Sequence, residues 1–306
     1  MRSIPSAAIL LLLLGSILAS SAAIWIRFVP EVSPISIGFI RVAGAAIIFF
    51  PFFWREWHRH RIPLRKLRYS ALAGIALALH FATWIASLRY TTVAHSVLFV
   101  ATHPIFVITI SLGLLRIPVA RNQIWGALIA VAGVVFIQWR DLGVHLSEGT
   151  ATSNTYGNLL ALIGGLFAAI YLLLSREARK SLTTVIHVEI AYSTAAVMLL
   201  LATFILRIPS IPLSPEPWLY LALLIILPTA GGHTIFNWSL RRLGAPLVSL
   251  FGLLEPVESA VFALLVLNEG VQGDTILGGI VIIGGLALAI WHSADNGLNS
   301  SALTSR

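Results

Sequence analysis

The stretch SLRYTTVAHSVLFVATHPIFV, residues 87–107, aligns without a gap on SLRRLGAPLVSLFGLLEPVES, residues 239–259, at a spacing of 152 residues. Both stretches begin Ser-Leu-Arg, and Pro104 falls on Pro256. Two glycine pairs keep the same spacing further along the chain, Gly126 with Gly278 and Gly133 with Gly285. Several matches at one spacing indicate an internal duplication of the chain.

The composition places this duplication in a membrane. The chain of 306 residues is 58% hydrophobic and 10% charged, has a mean hydropathy of +0.92 and contains no cysteine. Soluble domains carry about 25% charged residues, so an ordinary soluble enzyme, a disordered chain and a disulfide-built secreted domain are excluded. The net charge of +8 does not indicate nucleic-acid binding, because most basic residues lie at the ends of apolar runs.

Ten apolar runs predict an all-α polytopic membrane protein, because a helix needs about 20 mostly apolar residues to cross the hydrocarbon core. The connections between the runs are too short for a separate soluble domain. The predicted spans, numbered 1 to 10 in chain order, are residues 7–29, 36–53, 69–89, 93–115, 122–139, 157–176, 185–207, 217–239, 244–267 and 275–292.

The duplication divides the ten spans into two sets of five. Because five is odd, the second set enters the membrane in the opposite orientation, and we predict a 5+5 inverted-topology repeat. Secondary transporters are often built in this way. The predicted parts are residues 1–140 for the first repeat, 157–292 for the second, 141–156 for a connecting loop and 293–306 for a cytoplasmic tail.

Basic residues orient the chain, because cytoplasmic loops carry an excess of Lys and Arg. With a cytoplasmic N-terminus, fifteen of the 20 basic residues lie on the cytoplasmic side and four on the other, while Arg41 lies within span 2. Both termini are therefore predicted to be cytoplasmic. The N-terminal apolar run could also be a cleaved signal peptide, but its removal would spoil the repeat.

Two glutamates inside span 9 are the first candidates for a functional site. Glu255 lies near mid-depth, and Glu258 reaches a similar face of the helix because it is three residues further on. Ionisable groups at this depth are costly and indicate function by default, and two neighbouring carboxylates do not readily carry charge together. We expect one of them to load and release a proton, unless both are hydrogen-bonded structural groups.

Prolines at equivalent positions weaken spans 4 and 9. Pro104 and Pro256 each lack an amide hydrogen, so each frees one backbone carbonyl in its helix. The repeat also places His103 over Glu255, so we expect the two opened helices to meet and form a titratable pair. The alternative is that the prolines only shape the packing.

Spans 2, 3 and 8 carry further polar side chains. His80 and Trp84 lie four residues apart on one face of span 3, and His233 and Asn237 have the same spacing in span 8. We expect the two faces to form opposing walls of a cavity, with helix or lipid packing as the alternative. Arg41 lies about six residues inside span 2, from where its side chain can snorkel to the outer interface.

Other residues of the spans have structural explanations. Tyr171 and Trp25 are aromatic candidates for the cavity, but core packing explains them as well. Near the start of span 7, solvation at the membrane interface explains His187 and Glu189. The paired glycines of spans 5 and 10 predict a seam where two backbones approach closely.

The segment LLEPVESAVFALLVLNEGVQGDTILGGIVIIGGLAL, residues 253–288, resembles the drug/metabolite transporter superfamily, as do the five-plus-five spans and Pro34, just before span 2, followed by Arg41 within it. The EamA-type family of ten-helix permeases is the most similar, and the resemblance covers the whole chain. Asn268 departs from the Leu-Gly-Glu pattern of relatives, and the first half lacks the acid, with Arg-Ile-Pro at residues 116–118. The resemblance implies transport of small metabolites, often amino acids, and for Arg41, in place of snorkelling, a contact with an anion or an ion-pair partner.

These features predict a secondary transporter that works by alternating access and exports a small polar metabolite, first of all an amino acid, in exchange for protons. A carrier of nucleotide sugars or sugar phosphates is the alternative within transport, although Arg41 is the only Arg or Lys that lies away from the ends of the predicted spans. A membrane enzyme using Glu255 and His103 as acid and base is a second alternative, without a zinc or nucleophile signature. A receptor or scaffold would not need the duplication. We expect no cofactor, metal or nucleic acid, a bacterial-type inner (plasma) membrane, and either a monomer or a homodimer.

Overall fold

Helices make up every regular element in the part of the chain that the structure describes. The structure is a computed structural model that describes residues 6–59, 62–91, 93–145, 151–209, 211–212, 214–267 and 273–301. Within these ranges, no side-chain position is described for residues 93–95, 138–145, 151–154, 263, 267 and 291–301.

The helices make ten passes, as the hydropathy pattern predicts. Eight helical stretches of the described chain are long and apolar enough to cross a membrane, and one of them, Trp218–Val266, is 49 residues long. It turns at Gly244, whose φ of 76° lies in the left-handed region that glycine adopts without strain. This stretch therefore supplies spans 8 and 9, and the shorter apolar helix Arg121–Ile137 is the core of span 5.

From here on the span numbers refer to the observed helices. Span 1 comprises Ser6–Ser20 and Ala22–Arg27, span 2 is Pro34–Arg59, span 3 is Arg68–Ser87, and span 4 comprises Val93–Val100 and His103–Gly113. Span 5 is Arg121–His145, span 6 is Ala151–Arg179, span 7 is Thr184–Ile205, and span 10 is Gly273–Ser301. Span 8 consists of Trp218–Leu224, the π-helical Ile225–His233 and the part of Thr234–Leu250 before Gly244. Span 9 consists of the rest of that helix, the 3₁₀ turn Phe251–Leu254 and Glu255–Leu267.

The predicted connecting loop and the predicted tail both contain helix. Residues 141–145 continue span 5, residues 151–156 begin span 6, and span 10 reaches Ser301 within the predicted tail. An α-helix pairs its own backbone groups, so a span can continue beyond the apolar residues that cross the membrane. Asn268 and its neighbours at residues 269–270 lie outside the described residues.

Spans 5 and 10 cross at the four paired glycines. A Cβ atom added at Gly126 would lie 2.5 Å from the carbonyl oxygen of Gly285, and one added at Gly133 would lie 2.8 Å from that of Gly278. Gly126 is equivalent to Gly278 and Gly133 to Gly285, so the repeat converts the first contact into the second. A pseudo-two-fold axis between inverted repeats requires such a relationship. The predicted close seam is confirmed.

The loops between spans 2 and 3 and between spans 6 and 7 lie together at one end of the bundle, which we call the basic end. A small apolar cluster joins the two loops, and its members are Phe53, Ile62, Leu67, Tyr69, Ala178, Leu182 and Ile186. The Thr183 hydroxyl also donates a hydrogen bond to the Glu56 carboxylate. At the other end, called the opposite end, Arg89 donates to the carbonyl of Val32 at 2.9 Å.

Candidate functional site

A cavity of about 100 Å³ lies where spans 1, 2, 3, 4, 6, 8 and 9 meet. This volume exceeds the ~10–15 Å³ that one water needs, so several waters or a small ligand fit. Six of the eight predicted binding residues line the cavity, namely Arg41, His80, Trp84, His103, His233 and Glu255. The other two, Glu258 and Asn237, bind side chains that line it.

Arg41 does not reach the membrane interface, because its side chain is 1% exposed. Its guanidinium carbon lies 4.0 Å from the centroid of the Phe81 ring, and its Nε donates to the Thr229 hydroxyl at 3.0 Å. Nη1 and Nη2 have no hydrogen-bond partner in the described part of the chain. A cation–π contact and one hydrogen bond thus hold the guanidinium, while its two terminal nitrogens are left to bind something else.

The irregular centre of span 8 explains how Arg41 is held. Pro228 lacks the amide hydrogen that would bond the Leu224 carbonyl, and the Thr229 hydroxyl donates to that carbonyl at 2.8 Å instead. The same hydroxyl oxygen then accepts the bond from Arg41. π-helical turns such as Ile225–His233 occur frequently at functional sites. Thr229 is absent from the sequence-based candidates, although a threonine directly after an intramembrane proline is a usable signal.

His80 and Trp84 share one face of span 3 and form one wall of the cavity. Their rings stack with centroids 5.8 Å apart and an interplanar angle of 2°. The carbonyl of Gly164 accepts a hydrogen bond from His80 Nδ1 at 2.9 Å, so Nε2 of the neutral imidazole is an acceptor. On the facing wall, the ring of His233 meets that of Phe81 edge to face, with centroids 5.5 Å apart.

Spans 4 and 9 both lose regular α-helix beside the cavity, next to their prolines. Span 4 is interrupted between Val100 and His103, and the Val100 carbonyl accepts a hydrogen bond from His103 Nδ1 at 3.2 Å. Span 9 tightens into the 3₁₀ turn Phe251–Leu254, where the Gly252 carbonyl accepts from the amide of Glu255. Opened helices are tolerated at membrane depth when such groups satisfy the backbone. The His103 ring packs on Gly252, and its described contacts include no hydrogen bond to Glu255.

The two glutamates of span 9 have different surroundings. Oε2 of Glu258 accepts hydrogen bonds from the hydroxyls of Ser16 and Ser20 in span 1, at 2.8 and 2.6 Å. Glu255 lines the cavity, and its carboxylate has no hydrogen bond or ion pair with the described residues. Glu255 is therefore the carboxylate that is available to a ligand or a proton, while Glu258 is held on span 1.

Asn237 is fully buried in a chain of hydrogen-bonded side chains next to the cavity. Its Nδ2 donates to the hydroxyl of Tyr171, a cavity residue, at 2.5 Å, and its Oδ1 lies 3.1 Å from His187 Nε2. The chain continues from His187 Nδ1 to the Ser70 hydroxyl at 2.9 Å. His187 and Glu189 are 0% and 4% exposed, so the prediction that the interface solvates them is wrong. His187 contacts spans 3 and 8, whereas Glu189 accepts a hydrogen bond from Ser193 of its own span. The rotation of span 7 that buries both is not evident from their position in the sequence.

The cavity combines one cation, one unpaired carboxylate, three imidazoles and aromatic walls. This set suits a small molecule that carries both signs of charge, because each sign meets a group of the opposite sign. Although three histidines line the cavity, no three metal-ligating side chains in the described chain lie close enough together to hold an ion.

A sequence profile of the EamA-like transporter family matches residues 6–139 and again residues 155–291. The chain belongs to the EamA-like transporter family. Each match covers five of the ten spans, so this EamA protein contains two copies of the family's unit. It is a multi-pass membrane transporter and not an enzyme, and the resemblance inferred from its residues is confirmed.

Relatives of this EamA protein carry the names uncharacterized transporter or WAT1-related protein. An uncharacterized transporter of Archaeoglobus fulgidus is 26% identical over 289 residues, which cover 91% of this chain and 96% of the relative. A WAT1-related protein of Arabidopsis thaliana is 26% identical over 308 residues, with 86% and 83% covered. One crystal structure superposes with a TM-score of 0.75 at 19% identity, covering 93% of this chain and 96% of the other, which shows a shared fold.

Proposed function

We propose that this transporter exports a small polar metabolite that bears a carboxylate, first of all an amino acid, in exchange for protons. The observation that carries the proposal is that two groups of opposite charge, each with atoms that have no bonding partner among the described residues, line the same cavity. The terminal nitrogens of Arg41 lack partners, and so does the carboxylate of Glu255, in the described part of the chain.

Arg41 is suited to a carboxylate ligand. A guanidinium presents its N–H groups in a planar fork that matches two carboxylate oxygens. The Nε of Arg41 is already bound to Thr229, so its remaining donors are on the terminal nitrogens. Burial strengthens the attraction of these donors for an anion, because little water competes. A substrate carboxylate would therefore complete the bonding of a group that is costly to leave unpaired.

Glu255 supplies the coupling to protons. A substrate amino group and a proton compete for the same carboxylate, because each neutralises its negative charge. Binding of one therefore favours release of the other. Alternating access then converts this competition into exchange, and an inward proton gradient drives the substrate out. Export also relies on the predicted cytoplasmic location of the basic end.

The test is counterflow in proteoliposomes with a panel of labelled amino acids, other carboxylates, sugar phosphates and nucleotide sugars, with and without a pH gradient. We expect one class of carboxylate substrate to accumulate in a gradient-dependent manner. The Glu255→Gln variant is expected to lose the response to the gradient, and Glu258→Gln is the matched control. Accumulation of phosphorylated substrates alone would overturn the substrate class, and uptake indifferent to pH and to Glu255 would overturn the coupling.

A further inference from the structure

The repeat relates two groups of residues, one on each side of the central cavity. The residues of one group are polar, and the equivalent residues of the other are apolar. The polar group, at the basic end, consists of Ser70, Tyr171, His187 and Asn237 together with Arg179, and we call it the polar layer. The other group, at the opposite end, borders a second cavity of about 600 Å³.

The polar layer lies between the central cavity and the basic end. Tyr171 lines the cavity, and Asn237 is one helical turn from His233, another cavity residue. Ser70 and His187 lie in the first turns of spans 3 and 7, which begin at the basic end. No member of the layer is more than 3% exposed.

The hydrogen bonds of the layer fix the donor and acceptor roles of His187 and Asn237. The amide oxygen of Asn237 can only accept, so His187 Nε2 carries the hydrogen and its Nδ1 accepts from Ser70. Nδ2 of Asn237 donates both to the Tyr171 hydroxyl and to the His233 carbonyl, at 2.5 and 2.7 Å. Hydrogen-bonded side chains therefore connect span 3 through spans 7 and 8 to span 6.

Arg179 attaches the loop before span 7 to this layer. Its side chain is 3% exposed, its Nε donates to the backbone carbonyl of Asn237 at 3.2 Å, and its Nη1 donates to the carbonyl of Leu182. The backbone and side chain of Asn237 thus hold the loop, span 7 and the cavity wall together.

The equivalent positions at the opposite end are apolar. Spans 2 and 7 begin 150 residues apart, after turns of the same shape. At that spacing Val29 corresponds to Arg179 and Ile37 to His187, and at the spacing of 152 residues Ile85 corresponds to Asn237. Val29, Ile37 and Ile85 all line the second cavity. Where paired polar side chains link the spans at the basic end, the equivalent positions at the opposite end carry buried apolar side chains beside a cavity that Arg27, Arg89 and Tyr90 also line.

We propose that the polar layer is the gate that closes the substrate cavity at the basic end, and that Asn237 is the positioning residue that ties this gate to the cavity wall. Asn237 is bonded to the cavity wall at Tyr171 and His233, and to His187 and Arg179 on its other side. A ligand that displaces the cavity wall therefore also strains the bonds that hold the loop before span 7. The proposal rests on the transporter function and not on the choice of substrate or coupling ion.

Labelling of a single cysteine tests the gate, because the native chain has no cysteine. Ala168→Cys places a thiol on the wall of the central cavity, and a membrane-impermeant maleimide is added from either side of sealed vesicles. A separate Arg65→Cys variant reports which side presents the basic end. Adding Asn237→Ala to the Ala168→Cys protein is expected to raise labelling from the basic end about tenfold, since removing one partner of a buried hydrogen bond shifts an opening equilibrium by that order.

The matched control is Ile85→Ala, the equivalent position at the opposite end, which is expected to raise labelling from the opposite end only. Ser70→Ala removes only the hydrogen bond between Ser70 and His187 and replaces Asn237→Ala if that variant does not fold. It is expected to give a smaller increase in labelling from the basic end. Unchanged labelling from the basic end in the folded variants would overturn the proposal, as would an equal increase from both sides. The assay needs no substrate and no gradient, so its result is independent of the proposed substrate and coupling.

Discussion

The rings of Phe81 and His233 touch edge to face, with centroids 5.5 Å apart, although the two residues are separated by 152 positions. This separation is the spacing of the repeat, so each residue contacts its own equivalent in the other half. Only residues next to a two-fold axis can do so, and the axis therefore passes through the wall of the central cavity, which His233 lines. The side chains differ, and so do their second contacts: Phe81 packs under Arg41, whereas the carbonyl of His233 accepts from Asn237. The symmetric scaffold thus carries an asymmetric site.

The first prediction concerns the glycine seam. Gly126→Ala places a Cβ 2.5 Å from the Gly285 carbonyl oxygen, and overpacking of this kind costs about 1–3 kcal/mol. We expect a lower apparent melting temperature in detergent. Gly284→Ala in span 10 is the control, because a Cβ there meets nothing within 4 Å; that variant should melt at or above the temperature of the unmodified protein. Equal melting of the two variants would contradict close packing at the seam.

The second prediction concerns the guanidinium of Arg41. Arg41→Lys keeps the positive charge but loses the planar fork, so the substrate carboxylate loses one of two charge-assisted hydrogen bonds. Such bonds contribute about 1.5–3 kcal/mol, so we expect kcat/KM for a carboxylate substrate to fall about 10- to 100-fold. The control is an amide analogue of the substrate, which lacks the carboxylate. As a competitor it should inhibit the parent and the Arg41→Lys protein at similar concentrations. An Arg41→Lys protein with unchanged kcat/KM would remove Arg41 from the binding site.

The third prediction concerns Thr229, which acts on the substrate only through Arg41. Thr229→Val keeps the shape of the side chain but removes the partner of Arg41 Nε and of the Leu224 carbonyl. We expect KM to rise severalfold with little change in kcat, because the guanidinium loses its orientation and not its charge. Thr229→Ser should restore the parent KM. If the serine variant is as impaired as the valine variant, the hydroxyl is not what positions Arg41.

Hydropathy and the repeat were sufficient to predict the ten spans, their division into two fives and the seam at the paired glycines. Such patterns depend on residue type and spacing, which the sequence displays directly. Six of the eight predicted binding residues line one cavity for a related reason, because polar groups at membrane depth turn inward. The rule is incomplete, since His187 and Glu189 also turn inward without lining the cavity.

The rotation of a helix and the choice of hydrogen-bond partner could not be predicted in the same way. From its position near the start of span 7, the side chain of His187 could lie at the membrane interface or inside the bundle. Its hydrogen bonds with Ser70 and Asn237 place it inside the bundle. Glu258 shares a helix face with Glu255 but is taken up by Ser16 and Ser20 of span 1. These outcomes depend on how distant spans pack, which no local pattern contains.

The central claim is that Glu255 exchanges its proton for substrate. Proton movement can be recorded directly with a pH-sensitive dye sealed inside proteoliposomes, after addition of the carboxylate substrate identified by counterflow. The proposal predicts that substrate moving in one direction drives protons in the other, that Glu255→Gln abolishes this signal while substrate exchange persists, and that Glu258→Gln retains it. A proton signal of parent size in Glu255→Gln, or substrate movement by the parent protein with no proton signal at all, would contradict the claim.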